Sequence, residues 1–315
     1  MSNEPQIKVF SGSSHPELAE RIARHLGVPV SEMILSRFAS NEIYARPKES
    51  VRNCEIFVVQ TGTGNVNEDL MELFIMLDSF KRSFAHRVHV VMPYYPYARQ
   101  DRVAEAREPI SAKLIADLIS TSGADHLITI LLHSDQEQGF FDFPVDNLRS
   151  RKLFVDFFKK KKLKNIVVVA PDVGSAKEAK RFAGDIGAEL AILNKERSGH
   201  NKSEVTHLVG NVKGRTCIVY DDLVDTAGSV CNAREAVRKA GARPDVYLAA
   251  THAVLSRDAG DRLARAGFKE IVFTDTIPLA PEKKLKNMKI ISVAPLLSRI
   301  IRNVYEGKPL SPLTK

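Results

Sequence analysis

Residues Thr216–Ser229 read TCIVYDDLVDTAGS. A β-branched apolar run ends in two adjacent carboxylates, Asp221 and Asp222. A short loop follows, then Thr226-Ala227-Gly228-Ser229, and a helical pattern runs from Val230 to Ala240 until Gly241 stops it. The order predicts a strand, an acidic turn and a helix start. A helix start presents unpaired backbone N–H groups and the positive end of the helix dipole. Small residues there let an anion approach the backbone closely. Two readings follow. In one, Asp221 and Asp222 accept hydrogen bonds from the hydroxyls of a sugar phosphate, and Asp225, Thr226, Ala227, Gly228 and Ser229 hold its phosphate. In the other, the acids only shape a turn and Thr226 only caps the helix.

Outward from this stretch the same rhythm recurs. On the N-terminal side, Asn165–Ala170 (NIVVVA) predicts a strand, Ser175–Ile186 a helix, Glu189–Leu193 a strand and Val205–Val209 another. On the C-terminal side come a strand at Val246–Ala250, a helix at Asp258–Ala266, a strand at Glu270–Thr274 and a final helix at Val293–Tyr305. The first half of the chain repeats the pattern. Strands are predicted at Lys8–Ser11, Glu55–Gln60, Arg87–Met92, Leu127–Leu132 and Val145–Leu148. Helices are predicted from Ser14 or Pro16, closed by Gly27, at Asp69–Phe84 and at Ser111–Ser120, with another from Arg149. Ile34 to Ala45 reads as a hairpin around FASNE (Phe38–Glu42). Short apolar runs alternating with amphipathic helices argue for an α/β fold of mainly parallel sheets flanked by helices. The strands are too many for one sheet. Two similar halves are expected, 1–148 and 149–305, with the tail 306–315 placed on the first.

In open parallel sheets, ligands gather at the carboxyl ends of strands. Five segments sit there: Arg99-Gln100-Asp101-Arg102, His133, Asp172–Lys177, Lys195-Glu196-Arg197 and the opening loop. In PDVGSAK, Gly174 and Ser175 allow close backbone approach at a helix start, Lys177 adds a positive charge, and Asp172 is a candidate ligand for Mg²⁺, which keeps most of its waters. The competing reading is an ordinary strand-to-helix turn. The polar segment Lys195–Glu204 is either a solvated loop or a flap whose Lys195 and Arg197 cover a reacting polyphosphate, chemistry that needs charge neutralisation above all. His133 is either a structural histidine or a metal or phosphate ligand. PYYPYARQDR is either a rigid turn or a nucleotide contact through Arg99 and Gln100.

The bulk of the chain narrows the class. It has 315 residues, 44% hydrophobic and 27% charged, as expected of a soluble globular protein with a substantial core. No apolar run reaches membrane-span length, and MSNEPQIKVF lacks the build of a signal peptide. Three cysteines, Cys54, Cys217 and Cys231, have no metal-like spacing and cannot all pair. They read as reduced packing residues in a cytoplasmic protein. The net charge of +8 suits polyanions, phosphorylated metabolites and nucleic acid alike. With no Trp and 7% aromatics, stacking platforms for nucleic acid are scarce, and no nucleic-acid or membrane partner is expected. The run KKKKLK (Lys159–Lys164) reads as a solvated helix end.

Taken together, FASNE, DLMELFIML (Asp69–Leu77), PYYPYARQDR, REPISAKL (Arg107–Leu114), GADHLITILLH (Gly123–His133), QGFFDFPVDNL (Gln138–Leu148), APDVGSAK, KER and DDLVDTAGS resemble the ribose-phosphate pyrophosphokinases (PRPP synthetases) over nearly the whole length. DDLVDTAGS alone would also fit type I phosphoribosyltransferases. The resemblance implies two phosphoribosyltransferase-like domains, with ATP and ribose 5-phosphate as substrates. The anomeric hydroxyl would attack the β-phosphorus of Mg-ATP, releasing AMP. Asp221, Asp222 and Asp225–Ser229 would bind ribose 5-phosphate. Asp172, Gly174, Ser175 and Lys177 would hold the transferred pyrophosphoryl group, and His133 and Asp172 the Mg²⁺. Arg99 and Gln100 would contact ATP, with Phe38, Ser40 and Glu42 reaching the adenine from a neighbouring subunit. Lys195 and Arg197 would be catalytic. A shared ATP site implies a homo-oligomer, in this family a hexamer built from dimers.

The chain also departs from that family. Leu131 stands where an Asp often precedes the His, Glu178 where a basic residue usually follows the loop Lys, and Ala104 where an acid often follows ARQD. The tail SPLTK departs from the segment associated with ADP and phosphate control, although Ser50, Arg52, Gln138, Asp146 and Asn147 are retained. The alternatives are a non-catalytic partner of a true synthetase and a nucleic-acid-binding regulator on the same fold. The latter lacks a helix-turn-helix or aromatic-basic motif.

Overall fold

A computed structural model describes residues 5–196 and 205–311, without the side chains of residues 195, 196, 205 and 206. Two compact units emerge. One holds the residues up to Arg149, Thr276–Pro278 and those from Ser292 onward; the other holds Ser150–Asp275 and Leu279–Ile291.

The first unit begins β1 (Gln6–Ser11), α1 (Pro16–Leu26), an antiparallel hairpin β2 (Met33–Arg37) and β3 (Ile43–Pro47), and β4 (Cys54–Val59). It continues α2 (Val66–Arg82), β5 (Arg87–Met92), α3 (Ser111–Ser122), β6 (His126–Ile130), a 3₁₀ helix Asp135–Phe140 and β7 (Val145–Leu148). Its sheet is parallel, in the order β1-β4-β5-β6-β7. β4 is buried along its whole length, as a strand covered on both faces must be. Phe10, Ile56, Val58, Leu73, Leu77 and Phe80 share one core, with the Phe10 and Phe80 rings 4.8 Å apart. On α1, Leu18, Ala19, Ile22 and Ala23 recur at helical spacing and are buried. Full burial of Leu18 and Ile22 contributes roughly 1.5–3 kcal/mol each. Gly27 ends α1 at φ 80°, its N–H returning to the Ala23 carbonyl. α2 starts earlier than its apolar pattern, because Glu68 and Asp69 sit favourably in its first turn.

The second unit comprises α4 (Arg151–Lys160), β8 (Ile166–Ala170), α5 (Ala176–Ile186), β9 (Glu189–Glu196), β10 (Val205–Val209) and β11 (Thr216–Val224). Then come α6 (Gly228–Lys239), β12 (Val246–Ala253), α7 (Ala259–Ala266), β13 (Glu270–Thr274), a short 3₁₀ helix and β14 (Met288–Ile291). The sheet order is β10-β9-β8-β11-β12-β13-β14, parallel except for the β9–β10 pair. On one face Phe182 stacks on Tyr220 at 4.4 Å; on the other, Val230, Ala233 and Val237 of α6 are buried.

α8 (Ala294–Tyr305) follows in sequence but belongs to the first unit, where it packs on α1. The sequence-based division placed only 306–315 there. A second difference concerns the acids. β11 runs through Asp221 and Asp222 to Val224, with Asp221 opposite Ala250 and Val224 opposite Ala253. The carboxylates therefore stand on a strand rather than in a turn, because β12 is long enough to pair that far.

Candidate functional site

From β8 the chain winds to β9 on one side; from β11 it winds to β12 on the other. The strand order therefore reverses between the neighbours β8 and β11. A crevice at the carboxyl ends of strands at such a switch point is where open α/β sheets take ligands. The two loops singled out by sequence, Asp172–Lys177 and Asp221–Ser229, leave these two strands.

Each loop is built for close approach. After β8, the Asp172 carboxylate accepts the Ser175 N–H at 3.0 Å, and Ser175 Oγ donates to the Asp172 carbonyl at 3.1 Å. A Cβ on Gly174 would lie 3.2 Å from Asp172 Oδ1, so glycine keeps this turn open. Lys177 lies exposed in the first turn of α5. Glu178 is drawn elsewhere: it pairs with Arg151 and Arg181, and Arg151 also holds Asp185. After β11, Ala227 precedes α6 at φ 62° and is buried. A methyl cannot cap a helix, so the reading of Thr226 as the N-cap is not the observed one. A left-handed alanine costs about 1–3 kcal/mol, and it turns the first N–H groups of α6 outward from a tight bend.

Asp221 is buried, and the Asp222 N–H donates to its Oδ1 at 3.0 Å. Burial, and then the charges of Asp222 and Asp172, push the Asp221 carboxyl well above the usual carboxylate range. These acids are hard oxygen donors whose mutual repulsion a divalent cation would relieve. Among the described residues no three His, Cys, Asp or Glu side chains converge to hold a metal by themselves. The donor set therefore fits an ion such as Mg²⁺, which takes one or two carboxylates beside water and phosphate oxygens.

The other sequence-predicted residues lie in the first unit, except Lys195 and Arg197. Phe38, Ser40 and Glu42 share the tip of the β2–β3 hairpin. Phe38 is 57% exposed, edge-on to Tyr44, and Ser40 Oγ donates to Glu42 at 2.5 Å. Arg99 and Gln100 are exposed on the loop after β5, where Ser111 Oγ donates to Gln100 Oε1 at 2.6 Å. His133 is exposed past the end of β6. Lys195 is described only as backbone in β9, and Arg197 lies outside the described residues.

Leu131 is buried at φ 52°, with its N–H on the Leu148 carbonyl. An apolar side chain thus takes up a strained bend beside His133. The Ala104 N–H donates to Glu108, so an acid reaches this turn from another position. The retained effector-type residues are engaged: Arg52 lies over the Phe84 ring, Gln138 donates to the Asp135 carbonyl, Asp146 pairs with His126, and Asn147 accepts the Leu132 N–H. Sequence reasoning missed Glu137. It is wholly buried beneath the His133 turn, accepts the Ser134 N–H at 2.7 Å and closes a capping box with Ser134. The Ser-x-x-Glu spacing was its signal. Burial pushes its carboxyl up to about 7.

Known proteins share this architecture. The N-terminal domain of ribose phosphate pyrophosphokinase matches residues 7–123, and the phosphoribosyl synthetase-associated domain matches residues 199–315. The ribose-phosphate pyrophosphokinase of Caldanaerobacter subterraneus subsp. tengcongensis is 46% identical over 98% of this chain and 97% of its own. That of Clostridium perfringens is 43% identical over 99% and 98%. The crystal structure of phosphoribosylpyrophosphate synthetase from Mycobacterium smegmatis superposes with a TM-score of 0.91 at 43% identity, covering 96% of this chain and 99% of that one.

Proposed function

The chain belongs to the ribose-phosphate pyrophosphokinase family and makes PRPP from ATP and ribose 5-phosphate, and we propose that its switch-point loops divide that work. Asp221 and Asp222 accept hydrogen bonds from the ribose hydroxyls, while Asp225, Thr226, Ala227, Gly228 and Ser229 hold the 5-phosphate. Asp172, Gly174, Ser175 and Lys177 hold the pyrophosphoryl group. The carrying observation is the reversal of strand order between β8 and β11, with both loops on the strands that flank it.

The reaction forms a bond from the C1 oxygen to the β-phosphorus of ATP and breaks the bond from that phosphorus to the bridging oxygen, which leaves on AMP. The developing charge lies on phosphoryl oxygens, so positioning and charge neutralisation dominate. Lys195 and Arg197 supply cations at that stage. Arg99 and Gln100 bind ATP, and Phe38, Ser40 and Glu42 contact the adenine. The family generally uses Mg²⁺. Asp172 and His133 are its proposed ligands here, and the ion would offset polyphosphate charge.

The exposed hairpin tip suits contacts with a second copy, so a homo-oligomer, a hexamer built from dimers, belongs to this reading. Ile110, Leu114 and Leu118 also expose apolar side chains at helical spacing along α3. Among the described residues no helix is long and apolar enough to cross a membrane. A cytoplasmic setting is part of the proposal.

The test incubates pure protein with Mg²⁺, ATP and ribose 5-phosphate and follows AMP and PRPP together. Equimolar formation is expected. Absence of both across phosphate and metal concentrations would point instead to a non-catalytic partner. Light scattering that returns a monomer would refute the oligomer.

A further inference from the structure

The loop assigned to the 5-phosphate has a charge problem. Residues Asp221–Ser229 contain three aspartates and no lysine or arginine. A helix N-terminus offers roughly half a positive charge, which falls short of a phosphate dianion set among carboxylates. A cation has to come from another element.

α7 brings one. A Cβ built on Gly228, the first residue of α6, would lie 3.8 Å from Arg262 Nη1 and 3.8 Å from Thr226 Oγ1. A guanidinium and a hydroxyl thus flank the space beside the helix start, both at van der Waals range, at the one position of this loop that has no side chain. Arg262 is held for this. Its Nε donates to Asp258 Oδ2 at 2.9 Å, which fixes the guanidinium plane while Nη1 faces the loop.

The helix is itself locked to the loop. Leu255 N–H donates to the Val224 carbonyl and Ser256 N–H to the Asp225 carbonyl, both at 3.0 Å. Leu255 and Arg257 adopt φ 48° and 53° to make that docking, a strain that side chains other than glycine rarely bear. The competing role for Arg262 is an ordinary i,i+4 ion pair with Asp258. Both side chains are 44% exposed, and such pairs contribute little. That role does not call for Nη1 to face Gly228.

We propose that Arg262 is a further binding residue for the 5-phosphate of ribose 5-phosphate, aligned by Asp258 and supplying the cation that the Asp221–Ser229 loop lacks. This rests on the assignment of that loop to the phosphate, so the test separates the two. Arg262→Gln, Arg262→Lys and Thr226→Ala are compared for KM of each substrate and for protection of the melting temperature by ribose 5-phosphate alone. A charge-assisted contact to phosphate predicts an increase of about 10–100-fold in KM for ribose 5-phosphate in Arg262→Gln, with KM for ATP nearly unchanged and thermal protection lost. Arg262→Lys keeps the charge without the planar fork and falls between. With unphosphorylated ribose, Arg262→Gln and the parent chain should be equally poor. KM for ribose 5-phosphate within two-fold of the parent in Arg262→Gln, beside a raised KM in Thr226→Ala, overturns the role of Arg262 alone. No change in either variant overturns the loop assignment and this proposal with it. If Arg262→Gln does not fold, Arg262→Lys with the parent KM and thermal protection overturns the proposed guanidinium contact.

Discussion

His89 and His126 face each other through their Nδ1 atoms at 3.0 Å in the sheet of the first unit. The outer nitrogens reach carboxylates: His89 Nε2 lies 2.8 Å from Glu55, and His126 Nε2 lies 3.0 Å from Asp146. The chain of contacts crosses β4, β5, β6 and β7. Burial drives the His89 pKa below its ordinary value, against the pull of Glu55 and with the repulsion of His126. Burial thus favours a neutral His89, whose Nε2 N–H donates to Glu55.

Acid should expose this arrangement. The His89 pKa is lowered in the fold from 6.5, so the unfolded chain takes up the proton first. The associated stability is present above about pH 6.5 and is lost as pH falls toward the folded value. Melting temperature should decline from pH 7 to 5.5. His89→Gln should lower it at pH 7.5 and flatten that decline. An unaltered slope would detach His89 from the effect.

Glu137 has the opposite sign. Its folded pKa is raised from 4.5 to about 7, so its contribution is fully present below about pH 4.5 and disappears as pH rises through 7. The full shift corresponds to roughly 3 kcal/mol. Glu137→Gln keeps an acceptor for the Ser134 N–H and removes the buried charge. It should be more stable than the parent at pH 8 and close to it at pH 5, by urea denaturation. Equal midpoints at pH 8 would contradict this.

Asp221 should show opposed effects on stability and activity. Its carboxyl is buried against Asp222 and Asp172. Asp221→Asn relieves that repulsion and should stabilise the unliganded protein by about 1 kcal/mol. On the proposed assignment it also removes an acceptor for a ribose hydroxyl, so KM for ribose 5-phosphate should rise at least about ten-fold. Calorimetry and initial rates on the same preparation decide it; a loss of stability would mean that the carboxylate is favourably paired.

Gly12 should tolerate no side chain. A Cβ there would come 2.3 Å from Gln60 Oε1. Gln60 cannot swing away, because it accepts from Ser14 N and Oγ and donates to the Asp69 carbonyl and Glu72. Gly12→Ala should cost about 2–4 kcal/mol, from overpacking and broken buried hydrogen bonds. The readout is a lowered urea midpoint at constant slope, and a cost below about 0.5 kcal/mol would show that the network gives way.

Lys195 tests the catalytic assignment. If it meets charge only in the transition state, Lys195→Ala lowers kcat about 10²–10⁴-fold and leaves ribose 5-phosphate binding near normal. Equal loss of substrate affinity would make it a ground-state binder.

The buried parallel strands were the most legible part of the fold. Arg87–Met92 and Glu270–Thr274, paired on both sides, have the same bounds in sequence reading and structure, because a strand covered on both faces is mostly apolar; the edge strands Val145–Leu148 and Val205–Val209 match as well. Met288–Ile291 went unread since Lys289 and Ile290 are exposed on an edge strand. The extension of β11 through Asp221 and Asp222 depends on its register with β12, which no local pattern encodes. Leu131, Ala227 and Leu255 sit at positive φ without a glycine to announce it. In the site, motifs marked the loop residues themselves. Arg262 was invisible because it enters from the next helix, within a pattern that reads as an ordinary solvated face.

The closing helix has a consequence for how the protein is made. α8 buries Leu296, Leu297, Ile300 and Ile301, and Arg302 donates to the carbonyls of His25 and Leu26. Tyr305 donates to the Pro5 carbonyl. The first unit therefore receives α8 only after the whole of the second unit has been synthesised. Throughout synthesis of the second unit, the part of α1 that α8 covers waits exposed. Premature termination before Ala294 should send the nascent chain toward aggregation through the surface of α1 that α8 would have covered.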